Sequence, residues 1–173
     1  MSRHKIYKCM DFAYWLEQDE DMPWTSFPPG YRDPKPPGPS EVFWHGRPGR
    51  DTGFGQRPAF FAASKRDADW YLQGEPGVLI GARLTPRKVG GARELAEAAV
   101  KAGARRPDIK SHSGYDGYND NDFVYVPSVQ TKLREMGFDL LMVWDQLESA
   151  EVRVAIVLDP SIIKVVETLE SAG

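Results

Sequence analysis

One cysteine, Cys9, stands among 173 residues. That count excludes an intramolecular disulfide and a cysteine-cluster zinc site, and it fits a reducing compartment. Histidine is nearly as scarce. His4, His45 and His112 are the full set, and with His4 near the start and His112 in a polar loop, a three-histidine metal centre is not expected. No apolar run is long enough to cross a bilayer, and "MSRHKIYKCM" lacks the apolar stretch of a secretory signal, so the expectation is a cytoplasmic protein with no membrane partner. A formal net charge of -3 offers no basic footprint, so nucleic-acid binding through bulk electrostatics is not indicated. There is no phosphate-binding loop, no dinucleotide-binding glycine fingerprint, no nucleophile elbow and no His-Glu-x-x-His zinc motif. The oxygen-rich "YDGYNDND" (115–122) lacks the spacing and terminal Glu of a calcium loop and reads as a solvated turn.

What is present is ordinary in bulk and specific in order. Hydrophobic content of 41% against 27% charged residues suits a soluble domain, and the length suits a single domain with its own core. Residues 6–18 carry apolar groups at helical spacing. A proline-crowded run to residue 40 follows, and its Trp24, Phe27 and Tyr31 argue for an arm packed on the domain rather than a solvated linker. Short strands are expected at 41–45, 59–63 and 77–84, in "FDLLMVW" and in "VRVAIVLD", with one further short strand after Pro160. Helices are expected at 64–73 with Ser64 as N-cap, at 92–103 ending on Gly103, and at 126–137 with Pro127 near its start. Residues 104–122 show no periodicity and read as loop, and "DQLESAE" reads as an acidic loop between strands. No period of 20–50 residues repeats. The pattern is mixed α+β, without the regular alternation of a doubly wound nucleotide fold.

The chemistry-bearing residues begin at "EVFWHGRPGR" (41–50). A histidine closing a strand can donate a ring N–H to a sugar hydroxyl, and the glycine after it lets a ligand approach the backbone. Phe60, Phe61 and Tyr71 could stack on a planar cationic ring, or simply pack the core. In order, an aromatic-His-Gly strand, a glycine-bearing loop, "FFA", an Ala-x-x-Tyr helix and "GFDLLMVWD" resemble the ADP-ribosyltransferase fold in its histidine-tyrosine-acid branch. The likeness covers roughly residues 41–168 and is similar to the small phage anti-CRISPR members. It implies two small mixed or antiparallel sheets with flanking helices, NAD as substrate, no metal, and transfer of ADP-ribose to a macromolecule, taken here as a protein. For a phage member, the host cytoplasm would be the place of action. By the same resemblance His45, Gly46, Arg47, Phe60, Phe61, Ala62, Ser64 and Tyr71 bind NAD.

The acid is open between two alignments. Matching the Gly-Phe-Asp strand makes Asp145 the acid, and matching the first residue of the following strand makes it Glu151. Glu148 lies between them. "GYDG" (114–117) rivals "GFD" for the Gly-aromatic-Asp element. A carboxylate is what the chemistry asks for, because breaking the ribose–nicotinamide bond leaves an oxocarbenium-like sugar that a nearby negative charge stabilises. Water as acceptor would make the chain a NAD glycohydrolase, and loss of the acid would leave a binding module of the same fold.

Overall fold

The computed structural model describes residues 21–113, 119–147 and 150–172. The helix expected at 6–18, the "GYDG" element and Glu148 lie outside the described residues. The chain resolves into two compact units: one runs to Asp33 and resumes over Gly90–Phe138, the other comprises Pro34–Val89 and Asp139–Gly173. All ten residues expected at the site fall in the second unit.

That unit is built on β1 (Phe43–Pro48), β2 (Ala59–Ala62), helix α1 (Lys65–Trp70), β3 (Gly77–Leu84), the start of β4 (Val89–Gly91), β5 (Leu140–Leu147), β6 (Ala150–Val157) and β7 (Ile163–Ser171). The class is α+β, as the sequence pattern requires. The strands form one sheet in the order β4-β5-β6-β2-β1-β3-β7, not two separate small ones. Within it, the ladders β1–β3, β3–β7, β2–β6 and β5–β6 are antiparallel and run the length of their shorter strand. The β1–β2 ladder is the exception, with Trp44↔Ala62 as its single register pair. The sheet is therefore almost unzipped along one seam.

Three strand boundaries differ from expectation. β1 does not end at His45 but continues to Pro48, because every residue from Phe43 on has a partner on β3. Proline is tolerated at that last position, where no further ladder donor is needed. The presumed acidic loop is the tip of a hairpin: Asp145, Gln146 and Leu147 are strand, set opposite Val152, Glu151 and Ala150. The last strand is long, not short, and pairs with β3 over its full length.

Burial on both faces explains why "GVLIGARL", "LLMVW" and "VAIV" are near-continuous apolar runs. One face carries Phe43, Phe61, Leu84, Leu140, Met142, Ala155 and Val157. The other carries Ala62, Leu79, Ala68 and Leu72, with Trp44, Tyr71 and Leu169 packed against them. Phe43 and Phe61 are fully covered, each contributing on the order of 2–3 kcal/mol.

Two polar staples hold the periphery. Asp139, the acid of "GFD", is buried and accepts hydrogen bonds from the backbone N–H of Arg87 (2.8 Å) and Lys88 (3.2 Å), fixing the turn after β3. Arg153 on β6 spends its guanidinium on Glu41 (2.6 and 2.9 Å) and on the carbonyls of Lys35 and Pro36 (2.7 Å each), tying the proline run to the sheet. Such a forked, multi-acceptor arrangement suits arginine and not lysine.

The first unit contains α2 (Ala92–Lys101), α3 (Arg106–Ser113), a 3-10 helix (Asp120–Tyr125) and α4 (Pro127–Glu135). Helices α2 and α4 follow the sequence pattern, and Gly103 leaves α2 in the left-handed region at φ +65. Where loop was expected over 104–122, Arg106–Ser113 is a helix and a 3-10 turn begins at Asp120. The segment shows no periodicity of its own. Tertiary partners supply the stability, with Ile109 fully buried and Arg106, only 3% exposed, paired with Asp120 at 2.9 and 3.1 Å. Asp33 seats its carboxyl on the start of α2, accepting from Ala92 N at 3.0 Å. A Cβ on Gly91 would overlap that carboxyl, so a larger residue there would displace the Asp33 side chain.

Candidate functional site

The seam beside β1 is where the expected residues gather. Trp44 pairs with Ala62, and beyond that pair the stretch His45–Pro48 has its ladder on the β3 side only. A side chain bridges the opening instead: His45 Nδ1 lies 2.7 Å from the carbonyl oxygen of Phe60. A carbonyl only accepts, so Nδ1 carries the proton and Nε2 is left as an acceptor. This reverses the expected polarity. His45 offers a sugar hydroxyl an acceptor, because its donor is already committed.

The His45 ring packs against both Phe54 and Phe61, with centroids at 5.4 and 5.3 Å, and those two rings also touch each other. Burial is the main reason its pKa falls from 6.5 to about 4; the bond to Phe60 opposes the fall and the Arg47 charge adds to it. Near neutral pH the imidazole is uncharged. Phe54 was not foreseen. It lies in the glycine-rich loop 49–58, where the one signal was a large apolar residue among Gly, Arg and Asp. Arg47 is held within the same loop, stacked over Phe54 at 4.7 Å and donating to the carbonyls of Asp51 (3.2 Å) and Gly53. Its guanidinium shapes the loop, and Phe61 is core.

On the opposite face of the sheet, α1 crosses close to β1. A Cβ on Gly46 would overlap the carbonyl oxygen of Ala68, so this glycine admits the helix backbone rather than a ligand. Ser64 is the N-cap of α1, its Oγ accepting from Asp67 N at 3.1 Å. Ala62 is buried beneath the helix. Gly46, Ala62 and Ser64 thus have structural roles in placing α1, and what α1 delivers is Tyr71.

Tyr71, just past the last turn of α1, donates its hydroxyl to Asp145 Oδ2 at 2.5 Å. That is at the short end for a phenol on a carboxylate. The other oxygen of Asp145 accepts from the N–H of Gln146 at 2.9 Å. Asp145 is 8% exposed, so it is no solvated turn residue. Two groups 74 residues apart in sequence form one unit.

Register separates the two candidate acids. Asp145 is opposite Val152, two residues from Val154, which is opposite Ala62, which is opposite Trp44. These residues share a face, and it is the face that α1 and Tyr71 cover. Glu151 is opposite Gln146 and projects to the other face, the one His45 shares. The structure therefore joins Tyr71 with Asp145, and groups His45 with Phe54, Phe61 and the Phe60 carbonyl. Among the described residues no set of three His, Cys, Asp or Glu residues converges on a point where a metal ion would sit.

Comparison with family models, with curated proteins and with solved structures finds no match to this chain.

Proposed function

We propose that the chain is a NAD-dependent mono-ADP-ribosyltransferase that modifies a protein. The observation that carries the reading is the Tyr71–Asp145 hydrogen bond. An aromatic and an acid assigned to one site on separate stretches of sequence meet at bonding distance. Asp145 is preferred to Glu151 because only Asp145 shares the Tyr71 face.

In this reading the C1'–N bond of NAD breaks and neutral nicotinamide leaves with the bonding pair. The carboxyl of Asp145, oriented by Tyr71 and Gln146 N–H, stabilises the positive charge that develops on the ribose. The acceptor nucleophile then bonds to C1' and gives up its proton. His45 Nε2 accepts from a ribose hydroxyl, which holds the dinucleotide across the seam, and the backbone edge of β1 beyond Trp44 supports it there.

The test is incubation of the protein with radiolabelled NAD and cell lysate. Label on protein, abolished by Asp145→Asn and preserved in Glu151→Gln, supports the reading. Free ADP-ribose without labelled protein would make the chain a NAD glycohydrolase. No nicotinamide release and no calorimetric binding of NAD would end both.

A further inference from the structure

The loop between β1 and β2 closes on the sheet through one side chain. From Pro48 to Arg57 every residue is exposed except Phe54. Its ring lies 5.4 Å from each of His45 and Phe61, which stand on β1 and β2. The two ends of the loop are fixed apart from this contact. Gly49 N–H donates to the Pro76 carbonyl at 3.2 Å, and Pro58 is buried.

Arg47 latches the span between those ends. Its backbone is set in the ladder opposite Val78, so its guanidinium projects from a fixed strand. It stacks over the Phe54 ring at 4.7 Å and donates to the carbonyls of Asp51 (3.2 Å) and Gly53. The Asp51 carboxylate, 81% exposed, stands 3.7 Å away. Contacts this open to water are individually weak. Together they order the loop without committing it to one position.

The residues flanking Phe54 are glycines that this conformation does not require. Neither Gly53 nor Gly55 has a positive φ. A Cβ on Gly53 would come no nearer than 3.4 Å to Asp51 Oδ1, and one on Gly55 would meet nothing within 4 Å. Alanine would fit both positions as they stand, and glycine costs more conformational entropy to order. Freedom on both sides of the one anchoring ring is what a second, open position of that ring uses.

We propose that residues 50–57 are a gate: Phe54 closes it over the His45 imidazole, Arg47 latches it, and Gly53 and Gly55 let it swing open to admit a ligand. Opening breaks no ladder hydrogen bond, because these residues lie outside every strand. The gate itself assumes nothing about the ligand; that the ligand is NAD rests on the function proposed above. In that case the gate opens before a ribose hydroxyl reaches His45 Nε2.

The test reads His45 directly in the full chain. Diethyl pyrocarbonate acylates neutral imidazole, and peptide mass spectrometry follows His45 beside the exposed His112. At pH 7 His45 should react about tenfold more slowly than His112, since only the open population reacts. Arg47→Ala should speed the His45 reaction about fivefold by cutting the latch. Gly53→Ala combined with Gly55→Ala should slow it about fivefold, with the melting temperature unchanged or raised. Phe54→Ala should raise the NMR titration midpoint of His45 by about one pH unit. Equal His45 rates in the native, latch and glycine chains overturn the gate, as does an unmoved midpoint or a lowered melting temperature in the glycine variant. NAD association by stopped-flow fluorescence should follow the same order of rates. Modification in that order without NAD binding keeps the gate and overturns NAD as its ligand; NAD binding with equal modification rates overturns the gate alone.

Discussion

Acidification should destabilise this protein through His45. The imidazole is held neutral by burial against Phe54 and Phe61, and its pKa falls from 6.5 to about 4. A group whose pKa is lowered on folding contributes its stability fully above the unfolded value, near pH 6.5. That contribution declines as pH falls and is gone below the folded value, near pH 4. The difference of about two and a half pH units corresponds to roughly 3 kcal/mol, a large share of a small domain's stability. The assay is urea unfolding across pH 3.5–8 for the native chain and for His45→Phe, whose ring occupies the same slot without titrating. The stability gap between the two should narrow by about 3 kcal/mol from pH 7 to pH 4, because only the native chain loses the contribution. An NMR titration of the His45 ring should place its midpoint near 4, with Nδ1 protonated above it. A midpoint near 6.5, or a gap independent of pH, would refute the placement of the ring against Phe54 and Phe61 and the tautomer drawn from it.

Tyr71→Phe keeps the ring and removes the donor to Asp145; it should cost about 1–3 kcal/mol in thermal unfolding, and cut nicotinamide release more in kcat than in KM. Gly46→Ala pushes a methyl into the Ala68 carbonyl, so calorimetry should show a loss of about 1–3 kcal/mol as α1 is displaced. Asp139→Ala strips the acceptor from two backbone donors after β3 and should cost about 3 kcal/mol, with little change in NAD binding by calorimetry. Burial raises the pKa of Asp33, with the charge of Glu94 adding to it and the Ala92 hydrogen bond opposing. Its ionised form is therefore disfavoured by the fold, and stability from this group falls as pH rises through the folded pKa. Asp33→Asn keeps the acceptor on Ala92 N and should flatten that part of the acid-side stability curve without lowering stability at pH 7.

Much of the fold was legible before any coordinates. β3 lies at 77–84, where the run "GVLIGARL" indicates a doubly covered strand. Ser64 caps α1 as its side chain and position suggest. Gly103 and Gly137 both follow their helices in the left-handed region. Each of these depends on a few neighbouring residues, and local steric and hydrogen-bonding preferences decide them. The helix at Arg106–Ser113 was not legible, because its stability comes from Asp120 and from burial of Ile109, not from local propensity. The strand identity of Asp145 was hidden for a similar reason. "DQLESAE" is polar enough for a loop, and only pairing with β6 makes its first residues strand.

The site divides along the same line. Composition and order alone point to an α+β protein, with one histidine, a few aromatics and a carboxylate as the residues nominated for a site. Which carboxylate meets which aromatic is a question of register, since a shift of one residue along β5 turns a side chain to the other face. The hairpin register turns Asp145 toward Tyr71 and Glu151 away from it. Likewise, nothing local to "WHGR" says which ring nitrogen of His45 bears its proton. A carbonyl 15 residues away on another strand decides that, because hydrogen-bond polarity is set by whatever partner the tertiary fold brings within reach.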